Sequence, residues 1–131
     1  MLDTDVVSNL MRPRPSGALT ARLAATPDSE QSTTAITLGE LSYGAQRAGR
    51  PELYARSLEL LAGRRVIPFD EGAAERYGLI RDQLERAGTR LADPDLRIAA
   101  IVLARGATLV TGNLRHFQRI THLTVEDWLR G

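Results

Sequence analysis

Residues 91–113, LADPDLRIAAIVLARGATLVTGN, constrain the fold of this chain more than any other stretch. Asp93, Pro94 and Asp95 make an acid-tipped helix start, with a proline suited to the first turn and acids favoured by the helix dipole. Leu96 to Leu103 continues as an apolar helix, and Gly106 turns the chain. Thr108 to Thr111 reads as a short strand that runs out into polar Gly112 and Asn113. A helix returned by a tight turn to a strand with a polar C-terminal end is the geometry in which open α/β sheets place their active sites.

The remaining segments repeat this alternation. Residues 1–3 form a brief strand ending at Asp3, followed by a helical turn from Asp5 that Pro13 stops. Ser16 to Ala25 is helical with Leu19 and Leu23 on one face, and Pro27 to Ser32 is a polar loop. Thr33 to Thr37 (TTAIT) is β-branched and apolar, hence a strand. Thr37 and Glu40 have the spacing of a capping box, opening a helix with Leu38, Leu41, Ala45 and Ala48 on its apolar face and Gly49 after it. Pro51 starts the next helix, whose inward residues are Leu53, Tyr54, Leu58 and Leu61. Arg64 to Phe69 is a short strand whose Pro68 argues for an edge or a strand end. Asp70 caps a periodic helix bearing Ala73, Tyr77, Ile80, Leu84 and Ala87, closed by Gly88. After residue 113 come a helical turn at Leu114 to Phe117 and a strand at Leu123 to Val125. Strands alternating with helices at these lengths predict an α/β fold, three layers with a central, mostly parallel sheet covered on both faces.

At 131 residues the chain is expected to be one domain, 1–131, able to bury about two-thirds of its unfolded surface. The absence of cysteine excludes disulfides, thiol catalysis and Cys-based zinc sites. All 17 basic residues are arginine, so mechanisms that need a lysine, such as P-loop phosphate binding or a Schiff base, are excluded too. A net charge of +1 gives little overall attraction to nucleic acid, leaving that task to local arginines. No run reaches membrane-span length and no basic-then-apolar leader is visible, so a cytoplasmic location is expected.

Three acids fall at one edge of the predicted sheet. Asp3 ends the first strand, Glu40 follows the second, and Asp95 opens the helix before the penultimate one. Each has a plain structural explanation: Glu40 closes a capping box, Asp95 is a first-turn acid behind an Asp93 N-cap, and Asp3 bonds a loop amide. The conjunction favours a site. Two unit charges ~4 Å apart at an effective dielectric of about 20 repel by about 4 kcal/mol, a large share of a small domain's stability. Such a cluster needs protons or a cation, and hard oxygen ligands without Cys or His favour Mg²⁺ or Mn²⁺ over zinc.

The motifs Leu2-Asp3-Thr-Asp-Val-Val-Ser, Ala35-Ile-Thr-Leu-Gly-Glu40-Leu, Asp95-Leu-Arg-Ile-Ala-Ala, Leu109-Val-Thr-Gly-Asn113-Leu-Arg-His-Phe117 and Val125-Glu-Asp-Trp-Leu129 together resemble a PIN-domain protein. The chain is similar in particular to the VapC ribonuclease toxins of bacterial toxin–antitoxin pairs, over almost its whole length and with motif order kept. The resemblance implies a PIN-like α/β/α fold, a divalent-metal site of carboxylates, endonucleolytic RNA cleavage, inhibition by a cognate antitoxin protein and a homodimer. Asp3 and Asp95 match the metal-binding acids and Glu40 the second acid. Two departures stand out. Asn113 or His116 occupies the region where the family often has a fourth Asp, and Asp5 stands where Asn is common.

The expected roles follow. Asp3 and Asp95 hold the ion, Glu40 binds it through water or acts as general base, and Asp93 assists from behind. Asp5, Thr111, Asn113 and His116 position water or phosphate. Arg12, Arg14, Arg97 and Arg115 are the RNA-phosphate candidates, although most of the arginines read as solvated surface. Tyr43, Tyr54 and Leu58 fit a partner groove or ordinary packing equally well. Two alternatives stand beside this reading. Asp3-Thr4-Asp5-Val6 also fits a haloacid-dehalogenase-type phosphatase, which needs the lysine this chain lacks; the other is a catalytically weak or inactive PIN-like module that binds RNA or protein.

Overall fold

A computed structural model describes residues 1–130. The elements run α1 (Thr4–Leu10), α2 (Gly17–Ala24), a 3-10 turn at Asp28–Glu30, β1 (Ser32–Thr34), α3 (Ala35–Arg47) and α4 (Glu52–Leu60). They continue with β2 (Arg65–Ile67), α5 (Glu71–Arg86), α6 (Asp93–Ala104), β3 (Thr108–Val110), α7 (Leu114–Phe117) and β4 (Thr124–Glu126). β1 pairs with β2 and β3 with β4, both in parallel.

The first three residues join these two pairs. Val110 N–H donates to the Met1 carbonyl at 2.8 Å, Asp3 N–H to the Val110 carbonyl at 2.9 Å, and Leu2 N–H to the Ser32 carbonyl at 2.7 Å. The spatial order is therefore β4, β3, residues 1–3, β1, β2, with the N-terminal segment at the centre. β2 lies on the edge, where Pro68 just past its end removes no ladder donor.

Successive residues of the short strands go to opposite faces, as the pleat demands. Met1, Ile67 and Leu109 join a core with Ile80, Leu84, Ile98, Ile101 and Phe117, under α5 and α6. Leu2 and Val110 join the other with Val6, Val7, Leu19, Leu23 and Leu61, under α1 and α2. Both faces are thus covered by helices, which is the layered arrangement expected from the alternation of elements.

Among several local differences from the sequence reading, four bear on the site and its surroundings. Residues 1–3 form a single bridge at Leu2, and α1 begins at Thr4 rather than Asp5, with Asp3 as its N-cap. The strand read over Thr33–Thr37 stops at Thr34. Its last three residues are the first turn of α3, capped by the Thr34 hydroxyl accepting from Thr37 N–H at 3.1 Å. The β-branched character of Ile36 and Thr37 is a weak preference that this cap and the packing on either side override. Asp93 lies inside α6, whose N-cap is Ala92. In α4 the buried residue is Ser57, bonded to the Tyr54 carbonyl, while Leu58 is 43% exposed.

Candidate active site

The capping register of α3 changes what Glu40 is free to do. With Thr34 as the cap, Glu40 lies in the second turn and owes nothing to the backbone N–H groups of the first. Its carboxylate instead accepts the Thr4 hydroxyl at 2.6 Å, with Thr37 Oγ1 3.1 Å from the same hydroxyl. The separate structural explanation for Glu40 is thereby removed.

Asp3 is 3% exposed and held at both carboxylate oxygens. Thr4 N–H donates to Oδ1 at 2.8 Å and the Thr111 hydroxyl to Oδ2 at 2.8 Å. Thr111 follows β3, is fully buried, and accepts Asn113 N–H at 3.0 Å, so it connects the Asp3 carboxylate to the loop carrying Asn113. Asp5 accepts Gly112 N–H at 2.9 Å on Oδ2, whereas its Oδ1 is buried without a hydrogen-bond partner. Gly112 is required by this approach. A Cβ there would lie 2.7 Å from Leu129 Cδ1 and 2.9 Å from Asp5 Oδ2.

The electrostatics bring Asp95 into the same group. Burial pushes the Asp3 carboxyl up to about 7, the charges of Asp5 and Asp95 push the same way, and the bonds from Thr111 and Thr4 oppose them. Asp95 in the first turn of α6 is also shifted upward, by burial first and then by Glu40 and Asp5, with His116 pulling against it. Carboxylates from α1 and its cap, α3 and α6 thus converge at the C-terminal edge of the sheet, where Asp5 and Asp95 raise the cost of charge on Asp3, and Glu40 and Asp5 raise it on Asp95.

Among the described residues no three acid or imidazole side chains already stand close enough to make a finished metal cage. The donor set still suits a hard divalent ion, because such ions keep several waters and take only one or two carboxylates directly. The unpartnered Asp5 oxygen and the mutual repulsion are the two features a cation would relieve.

The other sequence candidates take varied places. Asp93 is engaged by the Tyr77 hydroxyl and by Arg97 Nε at 2.6 Å, and these bonds hold its carboxyl below the usual range. Arg97 stacks its guanidinium 5.3 Å from the Phe69 and Tyr77 ring centres, so part of its donor capacity is spent. Arg12 lines a groove of about 420 Å³ with Thr4, Glu40, Leu41 and Leu53, while Arg14, Arg115 and His116 are exposed. A second groove, about 660 Å³, passes the other side of Glu40 and is bordered by Ile36, Pro94, Arg97 and Tyr43, the last 69% exposed. Thr4, Thr37 and Gly112 are not among the site candidates from sequence, where Thr37 reads as a helix cap and Gly112 as a polar strand end. The available signal was a threonine next to a strand-end acid and a glycine at a strand end.

Comparison with known proteins gives this arrangement a family. The PIN domain profile matches residues 1–123. Ribonuclease VapC2 of Rickettsia felis is 30% identical over 129 residues, covering 98% of this chain and 96% of that protein. The chain belongs to the PIN-domain family, in its VapC branch. A second relative of this PIN domain, the tRNA(fMet)-specific endonuclease VapC of Salmonella typhimurium, is 41% identical over 96 residues, 72% of the chain and 73% of its own length. Among solved structures, VapBC2 from Rickettsia felis bound to a DNA fragment from the promoter superposes with a TM-score of 0.87 at 29% identity, covering 98% of this chain and 97% of that one. VapBC-1 from nontypeable Haemophilus influenzae gives 0.85 at 35% identity, covering 98% and 96%. The PIN fold thus accounts for the helical covering of the parallel sheet, and a phosphatase built around Asp3 and Asp5 is set aside.

Proposed function

We infer that this PIN domain is the ribonuclease toxin of a toxin–antitoxin pair, an endoribonuclease that cuts RNA phosphodiester bonds and is neutralised by a cognate antitoxin protein. The observation that supports the site assignment is that Asp95 lies near enough to Asp3, and Glu40 to Asp95, for their charges to repel across three separate elements, in a chain whose relatives are named ribonucleases. PIN-domain ribonucleases generally depend on a divalent metal ion, and the all-oxygen donor set here points to Mg²⁺ or Mn²⁺.

Asp3 and Asp95 are the residues that would hold the ion, with Asp5 supporting them and Glu40 reaching it through water, while Asp93 is taken up by Tyr77 and Arg97. When bound, such an ion polarises a phosphoryl oxygen and lowers the pKa of a coordinated water. The protein supplies the rest. Thr4 N–H and the Thr111 hydroxyl lock the orientation of Asp3, so its free lone pairs face the site. Glu40 accepts the proton of the attacking water. Thr111 and Asn113 orient water or phosphate at the strand end, and exposed His116, Arg12, Arg14 and Arg115 attract the RNA backbone, with Arg97 held against Asp93 at the margin. The solved VapBC complexes support an antitoxin as protein partner; the homodimer and the cytoplasmic location rest on family likeness.

Purified Asp3→Asn, Glu40→Gln and Asp95→Asn variants are expected to lose RNA cleavage by at least about a hundredfold while keeping the wild-type circular dichroism spectrum. Full activity in Asp95→Asn overturns the assignment.

A further inference from the structure

Glu40 carries a charge that repels Asp95, on a side chain with three rotatable bonds, so something must hold it at the site edge. Thr4 Oγ1 lies 2.6 Å from Glu40 Oε1, Thr37 Oγ1 lies 3.1 Å behind Thr4, and Thr34 Oγ1 lies 3.4 Å behind Thr37. A hydroxyl has one proton to give, and a carboxylate only accepts. The Thr4 proton therefore points to Glu40, the Thr37 proton to Thr4 and the Thr34 proton to Thr37. Thr34 and Thr37 are both fully buried, and Thr34 Oγ1 also accepts Thr37 N–H, so the inner end of this chain of hydroxyls is fixed.

Thr4 also acts in the other direction. Its N–H donates to Asp3 Oδ1 at 2.8 Å, so one residue bonds two carboxylates that lie 37 positions apart in sequence by 3 and 40. We propose that Thr4 is a positioning residue for RNA cleavage, a clamp that uses its backbone N–H on Asp3 and its hydroxyl on Glu40 to set the separation of the two acids. The charge-assisted O–H···O⁻ bond leaves Glu40 Oε2 free to face the substrate water, and both grooves that flank the site are lined by Thr4 and Glu40 together. The proposal rests on the reading of Glu40 as a residue of the cleavage site.

The test uses purified full-length protein, an RNA oligonucleotide and Mn²⁺. Thr4→Val keeps the shape and removes the hydroxyl; it is expected to lower kcat by about tenfold to a hundredfold, with KM within about twofold. Thr4→Ser restores the hydroxyl and recovers most of that rate. In a Glu40→Gln background, Thr4→Val produces no further loss, because both changes remove one unit. A crystal structure of Thr4→Val finds the Glu40 carboxylate displaced from its place beside residue 4. Wild-type kcat in Thr4→Val, a Thr4→Ser variant as slow as Thr4→Val, or an unmoved Glu40 overturns the proposal. Full activity in Glu40→Gln overturns instead the underlying reading of Glu40, so the two failures are distinct.

Discussion

Asp3 concentrates the energetic conflict of the molecule in one residue. It is buried, it has charged neighbours, and its carboxyl is pushed up to about 7. An acid whose pKa is higher folded than unfolded binds its proton more tightly in the native state. Its contribution to stability is then complete below about pH 4, the unfolded value, and is lost as pH rises through the folded value near 7. The shift of Asp95 acts in the same direction. Urea unfolding in EDTA from pH 4 to pH 8 is expected to show wild type losing stability relative to Asp3→Asn over that window and running parallel to it above. A constant difference across the window would contradict a buried, repelled Asp3. The sequence made Asp3 visible as a strand-end acid. It did not make Gly112 visible as the residue against which Asp5 folds, because close approach between two chain ends has no local signature.

At the scale of the elements, α3 is the instructive case. The segment TTAIT has the composition of a strand, and Thr37 with Glu40 has the spacing of a capping box. The fold uses Thr34 as the cap instead, which moves the helix start three residues earlier and turns Glu40 toward the site. Only the Thr37 cap is read from the sequence; Thr34 carries the same hydroxyl, and local sequence does not choose between the two. The choice falls to the sheet, because Thr33 is anchored by its hydroxyl to the Leu2 carbonyl and Thr34 is the last residue paired with β2. Thr34→Ala is therefore expected to cost about 1 kcal/mol in chemical denaturation, the usual value of a lost N-cap. If Thr34→Ala is neutral, the cap assignment is wrong. By contrast, α5 was readable in full, from the Asp70 cap accepting Ala73 N–H to Gly88 at φ +71°, because a long amphipathic period with clear ends has no competing register.

Across the whole molecule, a sheet with its first residues at the centre gathers acids of like charge at one edge, and that arrangement is tolerable in proportion to what neutralises it. Free Mn²⁺ at about a hundred times its Kd is expected to stabilise the protein by about 2.7 kcal/mol, read as a rise in melting temperature. The rise is lost in Asp95→Asn, and a wild-type melting temperature indifferent to Mn²⁺ and Mg²⁺ would remove the metal from the account. The alternation of apolar helix and strand, the two-faced burial of the strands and the presence of Asp3, Glu40 and Asp95 near strand ends were determined by the sequence alone, since periodicity and helix punctuation act over a few residues. How Asp3, Glu40 and Asp95 face one another, the engagement of Asp93 and Arg97 by Tyr77, and the bond from Thr4 to Glu40 were decided only by the tertiary structure. Those contacts join residues sixteen or more positions apart, and their geometry follows from how the helices pack across the sheet rather than from spacing along the chain.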